Sequence, residues 1–181
     1  IGGNIATNAG GINVIRYGMT REWVAGLTVV TGKGEVMALN KGLTKNNTGL
    51  DFRHLFIGSE GILGFITEAT LKLTAPPNNA TVLVLGLSDM DAIMRVLERI
   101  QSTASLLAYE FFSELAVSKV VEHAGVARPF DTQTPFYALI EFENDNESIE
   151  AALFDAVEAC MEAGWVIDAV MSQSVAQARA L

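Results

Sequence analysis

The chain carries the run Leu55-Phe-Ile-Gly-Ser-Glu-Gly-Ile-Leu-Gly-Phe-Ile-Thr-Glu68, in which Gly58, Gly61 and Gly64 surround the carboxylate of Glu60. Glycine has no Cβ, so the backbone here can approach a ligand closely before a strand resumes at Phe65. No Gly-Lys-Ser/Thr follows the run, and the chain contains no Gly-x-Gly-x-x-Gly fingerprint, so P-loop and Rossmann-type binding are unsupported. Glu60, taken alone, is typical of a solvated or hydrogen-bonded carboxylate.

Another glycine-rich segment lies at the start of the chain, where two glycine pairs enclose small residues over residues 2–11. Such a backbone can turn its N–H groups inward and form a cradle for an anion or a flat ring. Asn4, Thr7 and Asn8 add short polar groups that could read the edge of a pyrimidine-like ring. The alternative is an ordinary glycine-rich turn between strands, and the residues alone leave both interpretations open.

Around these two segments the first half of the chain is predicted to be β-rich with long glycine loops. Trp23–Thr31 and Glu35–Leu39 indicate a hairpin, joined by a turn that contains two glycines. Ile62–Leu73 indicates a further strand region. Long glycine loops in a compact domain are usually functional.

Composition changes sharply at Pro76-Pro77, where two prolines interrupt helix and strand hydrogen bonding. Of the 16 glycines, 13 lie in residues 1–76, and that part carries a net charge of +2 against −11 for residues 77–181. We therefore predict two domains, 1–76 and 77–181.

The second half alternates strands with amphipathic helices. The predicted strands are Thr81–Leu87, Leu106–Phe112, Phe136–Phe142 and Trp165–Met171. The predicted helices begin at Ser88, Ser113, Asn146 and Ser174, and two of them end at Gly125 and Gly164. The apolar face expected for the first helix consists of Met90, Ile93, Met94, Leu97, Ile100 and Ala104. This pattern favours helices on one face of a single sheet, either parallel or of the antiparallel βαββαβ type.

Charge, hydropathy and cysteine content exclude several classes of protein. A net charge of −9 argues against a nucleic-acid partner, and no apolar run is long enough for a transmembrane helix. The single cysteine excludes a disulfide framework. The chain begins without methionine and without a recognisable secretion signal, so we expect a piece of a longer protein.

The few groups that could bind a metal or act as nucleophiles are predicted to be structural. His54 and His123 are far apart and have no neighbour at metal-ligand spacing, so no metal site is expected. His123 is predicted to favour the negative end of a helix, and Cys160 to pack in the core. No catalytic residue is assigned within the chain.

An ordered set of motifs resembles the FAD-linked oxidase family, which is typified by D-lactate and D-2-hydroxyglutarate dehydrogenases and by the FAD subunit of glycolate oxidase. The motifs span Ile1–Gly11, Arg16–Gly18, Gly26–Val30, Asn47–Asp51 and Leu55–Glu68. A weaker match follows at Glu110–Phe112 and Pro135–Glu141. The resemblance covers the first half in order and spacing.

The resemblance implies an α+β fold: the second half of a vanillyl-alcohol-oxidase-type FAD-binding domain, then part of a ferredoxin-like α/β substrate, or cap, domain. It implies FAD as the cofactor. The residues that would line the flavin ring and the pyrophosphate are Gly3, Asn4, Thr7, Asn8, Gly10 and Gly11. Gly18 would let the chain pass close by, and Glu60, Gly61 and Ile66 would meet the adenosine end. The same resemblance turns Arg16 and Tyr17 toward the flavin, with an exposed arginine as the alternative.

The activity implied by the resemblance is oxidation of a D-2-hydroxy acid, with hydride transfer to flavin N5 and a base outside this chain. The family's first pyrophosphate loop would lie upstream and its His-x-Gly-Asp-Gly-Asn-x-His segment downstream, so the chain alone is expected to be inactive. A non-redox subunit or interaction module with the same fold, and an FAD oxidase of another alcohol, are the alternatives. We also expect a cytoplasmic location and a homodimer, while the hydroxy acid and the electron acceptor stay open.

Overall fold

A computed structural model describes residues 1–144 and 146–178 of the chain. The chain folds into two compact units, Ile1–Pro76 and Pro77–Leu181. The division falls between two prolines, neither of which can donate a main-chain hydrogen bond. Among the described residues no helix has the length and hydropathy that a bilayer crossing requires.

The first unit is built on a three-stranded antiparallel sheet that consists of β1 (Val24–Thr31), β2 (Val36–Leu39) and β3 (Gly64–Leu71) in the order β2-β1-β3. Pairing of β1 with β2 confirms the predicted hairpin. Four short helices surround the sheet. In chain order the elements are α1 (Gly2–Ala6), α2 (Val14–Tyr17), α3 (Thr20–Trp23), β1 (Val24–Thr31), β2 (Val36–Leu39), α4 (Arg53–Phe56) and β3 (Gly64–Leu71).

The short helices correct the expectation of plain glycine loops. Each has four or five residues, too few for an apolar periodicity to be visible in the sequence. Buried side chains hold them instead of helix propensity: Ile5 of α1 and Phe56 of α4 pack with Val29 and Leu39 of the sheet in one small core. This core therefore fixes α1 and α4 on the sheet.

The second unit contains a sheet of four strands, β4 (Ala80–Leu87), β5 (Leu106–Ser113), β6 (Phe136–Glu143) and β7 (Val166–Met171). Their order in the sheet is β5-β6-β4-β7, and every neighbouring pair is antiparallel. This order confirms the βαββαβ, ferredoxin-like arrangement, so the parallel alternative was wrong. The elements are β4 (Ala80–Leu87), α5 (Met90–Gln101), β5 (Leu106–Ser113), α6 (Glu114–Ala124), β6 (Phe136–Glu143), α7 (Glu147–Glu162), β7 (Val166–Met171) and α8 (Val175–Ala178).

The helices of this unit cover both faces of the sheet, which corrects the expectation of a single covered face. On one face, α5 and α7 bury the main core with Leu85, Ile140 and Phe142. On the other face, Val117 of α6 packs with Val84 and other side chains of the sheet. Helix α6 lies between β5 and β6, where a simple βαββαβ unit has only a hairpin.

Helix α5 begins one residue later than predicted. The N-cap is Asp89 rather than Ser88, because the Asp89 carboxylate accepts the Ala92 N–H at 2.8 Å. The hydrogen bond to Ala92 is the main cause that lowers the pKa of Asp89. Met90 and Met94 are more than half exposed, and the fully packed face is formed by Ala92, Ile93, Val96 and Ile100.

The other predicted helix ends are confirmed. Ser113 caps α6, which ends at Gly125 in the left-handed conformation, and Asn146 caps α7 through two main-chain N–H groups. His123 lies in the last turn of α6, as expected. Cys160 is buried in the main core, and burial raises the pKa of its thiol, as befits a packing residue.

An ion pair closes the side of the sheet that carries α6. Arg128 binds both carboxylate oxygens of Glu114, with Nη2 to Oε1 at 2.6 Å and Nη1 to Oε2 at 3.1 Å. Tyr137 donates to the same carboxylate at 2.7 Å, and its ring is stacked between Phe112 and Phe130. The Arg128 and Tyr137 hydrogen bonds lower the pKa of Glu114 to about 2.

Replacing Glu114 with glutamine should destabilise the chain in a pH-dependent way. The folded-state pKa of about 2 lies below the unfolded-state value of about 4.3. The carboxylate therefore stabilises the fold above pH ~5 and loses this effect as the pH falls toward 2. Denaturant unfolding should show a lower free energy of unfolding for Glu114→Gln at pH 7, with the difference from the parent shrinking at low pH.

The exposed Glu122, which pairs with Lys119 on the same helix, provides the control. Glu122→Gln should change the free energy of unfolding little, since exposed pairs contribute little. A Glu114→Gln difference that stays constant from pH 7 to pH 2 would contradict the role given to the carboxylate.

Candidate functional site

The two glycine-rich segments of the first unit lie against each other; the first segment is residues 2–11 and the second is residues 58–64. The Gly58 N–H donates to the Ile5 carbonyl at 3.1 Å, and the Glu60 N–H donates to the Ala6 carbonyl at 2.9 Å. The sequence predicted a close backbone approach to a ligand at both segments, with inward N–H groups at the first. These two amides instead bind the first segment, so they join the segments and are not available to a ligand.

Two polar side chains of the first segment are engaged by the protein itself. The Thr7 hydroxyl donates to the Gly3 carbonyl at 3.0 Å, which closes the end of α1. Asn8 has a positive φ of 50°, and its Oδ1 accepts the Arg21 N–H at 2.9 Å. Thr7 and Asn8 therefore shape the segment, and Asn8 connects it to α3.

The side chain of Arg21 reaches from α3 to the region just before the second segment. Its Nη1 donates to the His54 carbonyl at 2.9 Å, and its Nη2 donates to the Ile57 carbonyl at 2.7 Å. Nη1 also lies 3.0 Å from His54 Nδ1. Nothing in the sequence singled out this arginine, because its partners are main-chain atoms more than 30 positions away.

A cleft of about 530 Å³ opens beside the first segment. An aromatic pair forms part of its wall: the rings of Tyr17 and Trp23 meet edge to face at 6.1 Å, and Trp23 Nε1 donates to the Tyr17 carbonyl at 2.7 Å. Tyr17 thus lines the cleft, whereas Arg16 is exposed. The sequence missed Trp23 as a site residue because its surroundings indicated the start of a strand.

The structure brings only part of the predicted site together around this cleft. Four of the predicted residues line it: Asn4, Gly10, Gly11 and Gly18. The others lie outside its lining: Gly3, Thr7, Asn8, Glu60, Gly61 and Ile66. Ile66 belongs to β3, where it pairs with Val29 and packs on the small core. Since β3 is an edge strand, its alternate residues direct main-chain groups away from β1.

The surroundings and the backbone conformation favour glycine at two of the lining positions. A Cβ on Gly10 would lie 2.8 Å from Met19 Sδ and 2.9 Å from Val14 Cγ2. Gly18 has a φ of 70°, and a Cβ there would collide with the Glu22 carboxylate. By contrast, a Cβ on Gly3 or Gly11 would meet nothing within 4 Å. Close backbone approach by a ligand is therefore open at these two positions.

The cleft is neutral. None of its lining residues is an Asp, Glu, Lys, Arg or His. Elsewhere in the same unit, the carboxylate of Asp51 is bound by Arg53, and this hydrogen bond lowers the pKa of Asp51. Within residues 1–144 and 146–178, no group of three His, Cys, Asp or Glu side chains could hold a metal ion.

These features fit the ring and diphosphate of FAD. The first N–H groups of α1, from Gly2 to Asn4, have no acceptor inside their own helix, and of these three residues Asn4 lines the cleft together with the open backbone at Gly11. Main-chain donors beside a neutral, partly apolar cavity can hold a flat heterocycle and stabilise charge that develops on it. The Asn4 amide can donate to and accept from a ring edge.

The chain is similar to known proteins over nearly all of its length. Residues 76–181 match the family described as FAD linked oxidases, C-terminal domain, and residues 1–40 match an FAD binding domain. A D-2-hydroxyglutarate dehydrogenase of Stutzerimonas stutzeri (strain A1501) is 57% identical over 98% of this chain. A protein of the same name from Xanthomonas citri pv. viticola is 55% identical over the whole chain, and the mitochondrial one of Arabidopsis thaliana is 36% identical over 98%.

The chain spans 38% of the length of each of the two bacterial relatives and 33% of the plant one. Among solved structures, two crystal structures of alkyldihydroxyacetonephosphate synthase match it. Their TM-scores are 0.64 and 0.65 at 20% and 21% identity, over 93% and 98% of this chain and 34% of theirs. At this identity the likeness concerns the fold alone.

Alanine at Gly10 and at Gly11 should have opposite consequences for stability. Gly10→Ala forces Met19 and Val14 to move and should lower the free energy of unfolding by about 1 kcal/mol. Gly11→Ala adds a methyl group in open space and should leave it unchanged or slightly raised. Denaturant unfolding of both variants measures this. Equal destabilisation by the two alanines would contradict the packing described for this segment.

Proposed function

The chain belongs to the FAD-linked oxidase family, and from this premise we propose that it is part of an FAD-dependent dehydrogenase of D-2-hydroxy acids. The observation that carries the proposal is the cleft beside the first glycine-rich segment, whose lining has no charged side chain and includes Asn4 of α1 and the open backbone at Gly11. The names of the relatives support the substrate class.

Within this proposal, the two units have different roles. Residues 1–76 form the latter part of an FAD-binding domain, supported by the match of residues 1–40. Residues 77–181 form the first part of a substrate, or cap, domain, supported by the match of residues 76–181 and by the ferredoxin-like sheet.

The residues proposed to hold the cofactor fall into two groups. Asn4, Gly10 and Gly11 lie where the edge of a flat ring would enter the cleft, and the Gly3 amide at the start of α1 extends this row of donors. Gly18 lies at the far end of the same lining. The group proposed for the adenosine end lies outside the cleft and consists of Glu60, Gly61 and Ile66, the last through its backbone.

FAD, when bound, supplies a ring that accepts hydride from the hydroxyl-bearing carbon of the substrate. The chain's contribution is to bind and orient that ring with neutral donors, which offset the charge gained on reduction. No carboxylate or imidazole lines the cleft, so the base that takes the alcohol proton is proposed to come from outside this chain.

The names of the relatives support D-2-hydroxyglutarate as the first candidate substrate, with D-lactate and glycolate as the smaller members of the class. A non-redox module that keeps the fold is the second candidate function. The open cleft argues for the enzyme over this candidate, because a module without flavin does not need a cleft.

We propose a cytoplasmic location and a homodimer for the enzyme. The relative from Arabidopsis thaliana is named as mitochondrial, which makes an organelle the alternative location.

The direct test is anaerobic reduction of the purified full-length protein that contains this chain. We expect a yellow protein whose visible flavin absorbance bleaches when D-2-hydroxyglutarate is added, while the L enantiomer has no effect. A colourless protein, with no flavin released on denaturation, would overturn the enzyme in favour of the module. A yellow protein that only another alcohol bleaches would overturn the substrate.

Asn8→Asp separates cofactor binding from folding. An aspartate at this position still offers an oxygen to the Arg21 N–H, so the fold should be retained. It also brings a negative charge toward an anionic cofactor, which should raise the FAD dissociation constant about tenfold or more. Flavin titration of the apo protein, with circular dichroism as the folding control, measures this. Thr7 and Asn8 are proposed as cofactor residues through the shape that they give the first segment, and an unchanged flavin content would contradict this proposal for Asn8.

A further inference from the structure

Arg21 differs from Arg53 of the same unit because none of its partners is a carboxylate. Its guanidinium contacts the main-chain carbonyls of His54 and Ile57 and the ring nitrogen of His54. Arginine only donates, so His54 Nδ1 must act as the acceptor. The positive charge of Arg21 is therefore held by neutral groups, among the described residues, at the edge of the joined glycine-rich segments.

Arg21 contacts the first segment and the residue just before the second. Its main-chain N–H donates to Asn8 Oδ1 in the first segment, and its Nη2 donates to the carbonyl of Ile57, the residue that precedes Gly58. A Cβ on Gly58 would lie 3.2 Å from the Asn8 Cβ and 3.5 Å from Arg21 Nη2. Three chain regions thus converge on one arginine.

We propose that Arg21 is the positioning residue of the cofactor site: it clamps Asn8 to Ile57 and so fixes the register in which Gly58 and Glu60 bind Ile5 and Ala6. The clamp rests on the proposed function for its link to FAD, but its effect on the two segments is independent of any ligand. Removing the guanidinium would loosen both inter-segment hydrogen bonds and misplace the first segment beside the cleft.

Arg53 offers a matched comparison within the same unit. It also donates to two main-chain carbonyls, those of Val24 and Ala25, at 2.8 and 2.6 Å. Unlike Arg21, it is paired with a carboxylate, Asp51, and its carbonyl partners belong to β1. Arg53 therefore anchors α4 to the sheet without joining the glycine-rich segments.

The planar fork of arginine explains why lysine cannot replace it. Nη1 and Nη2 reach two carbonyls three residues apart at the same time. An ammonium group at this position could hold one of them well, but not both in the same geometry. Arg21→Lys should therefore lie between the parent protein and Arg21→Met in every measurement.

The test uses the full-length protein as parent, Arg21→Met, Arg21→Lys and Arg53→Met. Amide hydrogen exchange on the FAD-free proteins is read at Gly58 and Glu60, the two inter-segment donors. We expect roughly tenfold or faster exchange at both amides in Arg21→Met, an intermediate effect in Arg21→Lys and no local effect in Arg53→Met. FAD titration of the same proteins should show at least about a tenfold weaker affinity for Arg21→Met, a smaller loss for Arg21→Lys and an unchanged affinity for Arg53→Met.

The outcomes separate the clamp from the proposed function. If Arg21→Met exchanges like the parent at Gly58 and Glu60, the clamp is overturned. If exchange accelerates while the parent protein itself does not bind FAD, the clamp stands and the proposed function falls. If exchange accelerates and FAD affinity stays within twofold of the parent, the clamp is not a positioning device for the cofactor. Equal losses of affinity in Arg53→Met would show a general stability effect, which also overturns the proposal.

Discussion

Two main-chain hydrogen bonds, from Gly58 to Ile5 and from Glu60 to Ala6, hold the proposed cofactor site together. Buried or ligand-facing backbone must place each N–H and C=O with a partner, and here two glycine-rich segments satisfy each other. Helix α1, whose Ile5 is buried, brings the first segment to the small core, and α4 delivers the second. The cleft lies beside the first segment, and Gly10 and Gly11 of that segment form part of its lining.

The second unit has a different physical basis. Its core is a continuous apolar layer between the antiparallel sheet and α5 and α7, with a smaller layer under α6 that the Glu114–Arg128 pair closes. The acidic side chains that the structure describes in this unit are not buried and lie at its surface. Its sheet order is that of a ferredoxin-like fold, which agrees with the match to the C-terminal domain of FAD linked oxidases.

Elements with long, regular patterns could be predicted from the sequence, and contacts between distant residues could not. Strands β4 to β7 and the caps at Ser113 and Asn146 follow from local periodicity and capping chemistry. The short helices of the first unit escaped because tertiary burial, as at Ile5, outweighs propensity over four or five residues. Arg21 escaped for a related reason: a side chain that binds main-chain carbonyls leaves no signature in the residue types around its targets.

The glycine-rich segments show the same division within the candidate site. Their composition indicated a close backbone approach, but only the structure distinguishes Gly11, which faces open space, from Gly10, which packs against Met19 and Val14. We propose that this open backbone receives the flavin ring, which a crystal structure of the flavin-loaded full-length protein would show. We expect the ring in the cleft, within hydrogen-bond distance of Asn4 and the Gly10–Gly11 backbone. A ring bound elsewhere, with the cleft closed by Tyr17 and Trp23, would contradict it.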